Sequence, residues 1–195
     1  MALPFTDEQR QSIRERLFES ARRRALDTGV KKTSLEALTA DAGISKSSFY
    51  KFYDSKEQLF LEVAAHWEDE ILARATAALA ASAVSSDKER AAAMVLSAFR
   101  AIHEMGIARF LREDLPLLMP HLPEGVARAH YLSSAESLFS ALRAAQIRFT
   151  VPDEIALSVI QLMYLSILHI GEIGEGFFPA LHELVVSACD RLVAG

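Results

Sequence analysis

Apolar residues recur at helical spacing along nearly the whole chain, and strand-like alternation appears nowhere. Ile13, Leu17, Ala21 and Ala25 share one face of a first helix. Thr6 with Gln9 opens that helix as a capping box, and Gly29 ends it near Thr28. Leu35, Leu38 and Ala42 form a shorter stripe, with Thr33 and Glu36 as the capping box in front of it. Gly43 breaks the stripe, Ser45 supplies a fresh N-cap, and a second short helix is expected from Lys46 to about Tyr53. Ser55 with Gln58 then opens a long helix from Lys56 to Ala83, with Leu59, Val63, Trp67 (or Leu61), Ile71 and Leu72 on its buried side.

Val84-Ser85-Ser86-Asp87 is a break, and the next helix runs from Lys88 to about Met105. Gly106 separates it from a short segment, Ile107 to Leu118, and Pro116, Pro120 and Pro123 interrupt regular structure. A long helix from Pro123 or Glu124 to Ile147 follows, then a turn at Phe149 to Val151. Pro152, with Asp153 and Glu154 behind it, starts a helix that reaches about Ile173. Gly174 and Gly176 break it, and Pro179 starts the last helix, which runs to Leu192. The pattern predicts an all-α protein of about nine helices, three of them in an N-terminal head.

Composition adds little to this picture: 51% hydrophobic and 24% charged residues are ordinary for a globular chain. Charge adds more. The net charge is −5, but residues 1–56 hold 11 Lys and Arg against 8 Asp and Glu, or +3. The remainder holds 10 against 18, or −8. A basic head on an acidic body suits a DNA-binding domain, 1–56, joined to a separate regulatory domain, 57–195. The lone Cys189 cannot form an internal disulfide and reads as a small buried apolar residue, which suits the cytoplasm. Thr6 to Arg16 is too polar for a signal peptide, and the apolar run from Ile155 to Ile170 is shorter than the roughly 20 residues of a membrane span.

Two short helices joined by a tight glycine-containing turn are the helix-turn-helix plan, whose second helix lies in the DNA major groove. Ser45, Lys46, Ser47, Ser48, Tyr50 and Lys51 are the candidates on that second helix. Lysine can bond guanine acceptors and serine several bases, whereas Tyr50, Thr33 and Lys56 suit phosphate contacts that set register. Phe49, Phe52 and Tyr53 are assigned to the core, and Arg22, Arg23 and Arg24 mostly to solvated surface. The histidines His66, His103, His121, His130, His169 and His182 show no metal-ligand spacing, and no phosphate-cradling glycine loop or nucleophile elbow occurs. No enzyme, no metal and no cofactor is expected.

From Thr33 to Leu59 the order T-S-L-x-x-L-x-x-x-A-G-I-S-K-S-S-F-Y-x-F-Y-x-S-K-E-x-L resembles the DNA-binding segment of the tetracycline-repressor (TetR) family of bacterial transcription regulators. It departs at Ser47, where many relatives have Gly, and at Phe52-Tyr53, where His or Tyr followed by Phe is commoner. The resemblance implies phosphate contacts at the positions of Thr33, Tyr50 and Lys56. It also implies a homodimer in which the last two helices pair with their copies, through Val159, Met163, Ser166 and Ile170 on one and Leu181, Leu184, Val185 and Ala188 on the other. Ile155 and Leu162 belong to the same apolar surface. The implied function is a repressor that binds palindromic operator DNA and is released by a small, largely apolar effector. Trp67, Phe99, His103, Phe110, Tyr131, Ser134, Leu138, Met163 and Ile167 are the candidate effector contacts. The alternative is a DNA-organising or co-regulatory dimer whose body binds a protein partner; a filled interior would favour it, and a pocket of roughly 300–1,000 Å³ the effector.

Overall fold

A computed structural model of the chain describes residues 5–82, 85–121 and 126–195, with side chains from 134 onward in the last stretch. In order the α-helices are α1 (Asp7–Asp27), α2 (Leu35–Ala42), α3 (Lys46–Phe49), α4 (Lys56–Ala81) and α5 (Asp87–Glu104). Then come α6 (Leu115–Leu118), α7 (Val126–Ala144), α8 (Asp153–Ile167), α9 (Ile170–Ile173) and α10 (Phe177–Leu192). A π-helical turn, Phe110–Asp114, leads into α6, and 3-10 turns cover Met119–His121 and Gly174–Gly176. The all-α expectation holds: among the described residues the sole β feature is one isolated bridge, Phe149 to Val193. No single helix there is long and apolar enough to cross a membrane.

The caps explain most boundaries. Thr6 and Gln9 bond reciprocally at the start of α1, as do Ser86 and Glu89 at the start of α5. Gly43 closes α2 at φ +69°, a left-handed geometry that a side chain would strain. Three expectations need correction. Ser34, not Thr33, caps α2: its hydroxyl accepts from the Ala37 N–H. The helix expected from Pro152 to Ile173 ends at Ile167, where the Ser166 hydroxyl donates to the Met163 carbonyl at 2.6 Å and takes an acceptor of the last turn. The last helix begins at Phe177, because Pro179 in its first turn lacks an N–H that would be unpaired there anyway.

The chain packs as two compact units: Met1–Trp67 with Arg109–Leu122, and Glu68–Ala108 with Pro123–Gly195. The first therefore takes in α4 as far as Trp67 and the π-helical turn, beyond the expected boundary at 56/57. Its core gathers Leu17, Leu38, Phe49, Leu59 and Phe60, and the Trp67 ring meets the Phe110 edge at 4.9 Å. Asp41 ties α2 to α1, accepting from Ser20 Oγ at 2.6 Å, Arg23 Nη2 at 2.7 Å and Arg24 Nε at 2.9 Å. Arg23 and Arg24 are thus held by a carboxylate.

In the second unit α5 packs against α7, α8 and α10, burying Met94, Val95, Ala98, Phe99 and Ile102. The chain end is pinned to the α7–α8 connection, with Thr150 N–H on the Leu192 carbonyl and Ala194 N–H on the Arg148 carbonyl, each at 2.8 Å.

Hydrogen bonds from Arg24 and then Ser20 hold the Asp41 carboxyl below the usual carboxylate range. A depressed pKa stabilises the fold above the unfolded value, near 4, and the gain is lost as pH falls through the folded value. Asp41→Ala should cost about 1 kcal/mol at neutral pH, allowing for solvent screening at this exposed site. Urea titrations at pH 7 and pH 3 test this; an equal deficit at both would refute it.

Candidate nucleic-acid interface

The helix-turn-helix is built from α2, the Gly43 turn and α3. Ser45 caps α3 by accepting from the Ser48 N–H at 3.2 Å, and its hydroxyl also lies 3.0 Å from Ser47 Oγ and 2.9 Å from Ser48 Oγ. Beyond Phe49 the regular helix gives way to tighter turns, Lys51 N–H to the Ser48 carbonyl and Phe52 N–H to the Phe49 carbonyl. The second helix is thus shorter than the span to Tyr53. Phe49 and Tyr53 are buried and Phe52 half-buried, as expected of core residues. Burial, then Glu62, pushes the Tyr53 hydroxyl up to about 12.

Ser45, Lys46, Ser47, Tyr50 and Lys51 are exposed on this element, Tyr50 by 56%, while Ser48 is half-buried. Lys46 Nζ pairs with Glu36 at 2.6 Å, and that carboxylate raises the lysine pKa while its own is lowered. Lys51 Nζ stands 5.4 Å from the Phe5 ring centroid. Glu36, in the first turn of α2, is a partner the sequence did not mark for Lys46. Lys31 and Lys32, exposed in the α1–α2 turn, were also passed over; two adjacent lysines beside Thr33 were the available signal.

The Thr33 and Lys56 side chains are both engaged within the head. Thr33 is 2% exposed, and its hydroxyl donates to the Gly29 carbonyl at 2.8 Å, so its side chain is committed inward. Lys56 is half-buried, and its ammonium donates to the Val30 carbonyl at 3.1 Å and the Thr33 carbonyl at 2.9 Å. The same turn is held by the π-helical segment. The Val30 N–H donates to Asp114 Oδ1 at 3.1 Å, and Arg109 Nη2 donates to the Ala25 and Leu26 carbonyls at 2.7 and 2.9 Å. Gly29 is required here: φ is +84°, and a Cβ would lie 3.0 Å from Arg109 Nη1 and 3.1 Å from Asp114 Oδ2. Burial pushes the Asp114 carboxyl up.

The candidate effector contacts do not share a cavity among the described residues. Trp67 and Phe110 fill each other's space in the first unit. In the second, Phe99 and His103 line a groove of about 270 Å³ with Phe178, whose ring centroid lies 4.6 Å from that of His103. Ser134 and Leu138 line a small hollow of about 60 Å³ beside Glu68 and Asp69. Met163 borders an apolar crevice of about 30 Å³, and Ile167 is fully buried. The Tyr131 side chain lies outside the described residues.

Of the expected dimer residues, Leu181 and Val185 are buried within the protomer, because α10 turns that edge onto α5. Leu184 is 60% exposed, and Val159, Met163, Ser166, Ile170 and Ala188 are half-buried. Leu162 is 68% exposed, and Ile155, Leu165 and Ile173 also face solvent. Among the described residues no group of three or more His, Cys, Asp or Glu is placed to hold a metal ion.

An N-terminal helix-turn-helix head on an all-helical body is the architecture of a DNA-binding transcription regulator. The head is that of the bacterial regulatory proteins of the tetR family, whose family model matches residues 17–63. Solved structures agree on the fold. A putative TetR-family regulator from Mesorhizobium loti is 18% identical at TM-score 0.66, covering 95% of this chain and 96% of its own. A TetR-family regulator from Marinobacter aquaeolei is 20% identical at TM-score 0.59, covering 97% and 100%. The regulator FadR from Bacillus subtilis, solved with stearoyl-CoA, is 11% identical at TM-score 0.65, covering 90% and 96%. No curated protein matches the chain.

Lys56→Ala should remove the ammonium donor from two carbonyls of the α1–α2 turn, of which that of Val30 keeps the Thr33 N–H, and cost about 1–3 kcal/mol. Lys46→Ala, whose ion pair is exposed on both sides, should leave the melting temperature unchanged. Calorimetry on both variants is the check; a Lys56→Ala protein as stable as the parent would mean these bonds hold nothing.

Proposed function

We propose that the chain is a transcription repressor that binds a palindromic operator as a homodimer and is released by a small, largely apolar effector. The observation that carries the DNA-binding part is the α3 element, on which Ser45, Lys46, Ser47, Tyr50 and Lys51 are exposed together over a core fixed by Phe49. Lys46 and Ser47 read bases, and Tyr50 and Lys51 set register on phosphates. The backbone around Thr33, with Lys31 and Lys32 beside it, takes the phosphate role in place of the buried Thr33 side chain.

Homodimerisation is supported by apolar side chains left in solvent: Ile155, Leu162 and Leu165 of α8, Ile173, and Leu184 of α10. A second copy would cover them by a two-fold contact, and the paired heads would double the base contacts on a palindrome. Effector release is supported by the continuity of α4, which begins at Lys56 in the head and runs to Ala81 in the second unit. A ligand that prefers one setting of this helix weakens the operator by the factor by which the operator weakens it. The dispersed effector candidates favour the second reading, a DNA-organising or co-regulatory dimer whose body takes a protein partner.

Selection from random duplexes tests the DNA reading: an inverted repeat should emerge, and Ser47→Ala or Lys46→Ala should change the preferred base at one position per half-site. Unchanged preference in both variants would remove α3 as the reading element. Leu162→Arg and Leu184→Arg place charges in the proposed dimer contact and should shift sedimentation from dimer to monomer or aggregate. A dimer of full strength in both would place the interface elsewhere. Titrating small apolar molecules with and without operator separates the two readings, because only the effector reading requires the affinities to differ.

A further inference from the structure

A cavity of about 500 Å³ in the second unit is lined by Asp87 and Arg90 of α5 and by Arg143, Gln146 and Arg148 at and after the end of α7. Three guanidiniums and one carboxylate line it, +2 among the lining residues and +1 once Asp153, the partner of Arg143, is counted. The surrounding unit holds 8 Lys and Arg against 14 Asp and Glu, or −6, so the concentration of positive charge is local.

Little inside the protein uses these groups up. Arg90 Nη1 is 2.8 Å from Asp87 Oδ1, but its buried Nε has no acceptor. Arg143 makes only long contacts, 3.4 Å from Nε to Asp153 Oδ2 and 3.4 Å from Nη1 to the Ile147 carbonyl. Arg148 has no side-chain partner among the described residues. Gln146 is independently unusual, with φ +63°, the one positive φ outside glycine among them. It occupies the left-handed residue that closes α7, with the Ile147 N–H donating to the Leu142 carbonyl at 3.1 Å. Glycine would sit there without strain, so an amide side chain is kept at this rim against the backbone's preference.

We propose that this cavity binds a small phosphorylated molecule whose phosphate oxygens are held by Arg90, Arg143 and Arg148. Guanidinium forks match phosphate oxygens in pairs, and several forks suit the two charges of a phosphate ester better than the single charge of a carboxylate. The volume lies in the range of small-molecule sites. A nucleic acid backbone fits less well, because a unit of charge −6 repels it outside this one recess. The site is separate from the operator reading and does not depend on it.

Calorimetric titration of the full chain with ADP, pyrophosphate and adenosine tests the proposal. ADP and pyrophosphate should each bind once per chain, and adenosine should not. Arg148→Ala should weaken ADP by about tenfold or more, Arg148→Lys by less, and Arg100→Ala, elsewhere on α5, should leave it unchanged. Melting curves check that each variant is folded. The proposal is overturned if neither phosphate compound binds, if adenosine binds as well as ADP, or if Arg148→Ala binds ADP like the parent. It is equally overturned if Arg148→Ala weakens random duplex DNA but not ADP, since the arginines would then be a nucleic-acid surface.

Discussion

The Lys56 ammonium, shared between the carbonyls of Val30 and Thr33, is the contact on which the head's geometry turns. Lys56 is the first residue of α4, and the carbonyls it holds belong to the turn between α1 and α2. The turn holds itself only in part, through the buried Val30 and Thr33 side chains and the Thr33 N–H on the Val30 carbonyl, and other groups of its backbone are met from outside. Lys56 meets the carbonyls, Asp114 meets the Val30 N–H, and Arg109 meets the end of α1. Gly29 leaves the room these side chains occupy. The lead into α2 thus depends on two elements distant in sequence, the start of α4 and the π-helical turn.

That dependence also marks what could be read from the sequence. Local rules placed the elements well: the Thr6–Gln9 box, the Gly43 stop and the Ser45 cap all stand where side-chain chemistry requires. What failed needed a partner from afar. Thr33 and Ser34 are both competent caps, and only the Gly29 carbonyl, which draws the Thr33 hydroxyl inward, decides for Ser34. Lys56 reads as a phosphate ligand until the turn that captures it is in view. Leu181 and Val185 cannot be told from Leu184 by hydropathy, since all are apolar on one helix; α5 covers one edge of α10 and leaves the other bare. The exposure of the α3 residues was legible because it follows from one short helix. The effector set was not, because a cavity needs several helices to converge, and spacing along one says nothing of the others.

Charge shows the same limit in another form. The head's +3 suggests a free basic face, yet Arg23 and Arg24 are spent on Asp41, and Lys46 on Glu36. The body's −8 suggests a uniform acidic surface, yet three of its arginines share one recess. A charge count measures the long-range field and therefore association in general. Which cations remain available to a ligand is set by pairs a few ångströms apart.

The Lys46–Glu36 pair carries this argument to the proposed DNA contact. A lysine that reads a base must exchange its carboxylate partner for base acceptors, and Glu36 is then left close to a polyanion. The exchange costs little in solvent, where an exposed pair is weakly held, and more as water is excluded at a groove floor. A correct base returns hydrogen bonds to the ammonium and offsets the exchange, whereas at a wrong base the ammonium keeps Glu36 and gains nothing. Glu36 would therefore act as a competitor for the ammonium, setting the threshold that base acceptors must exceed before Lys46 leaves its partner.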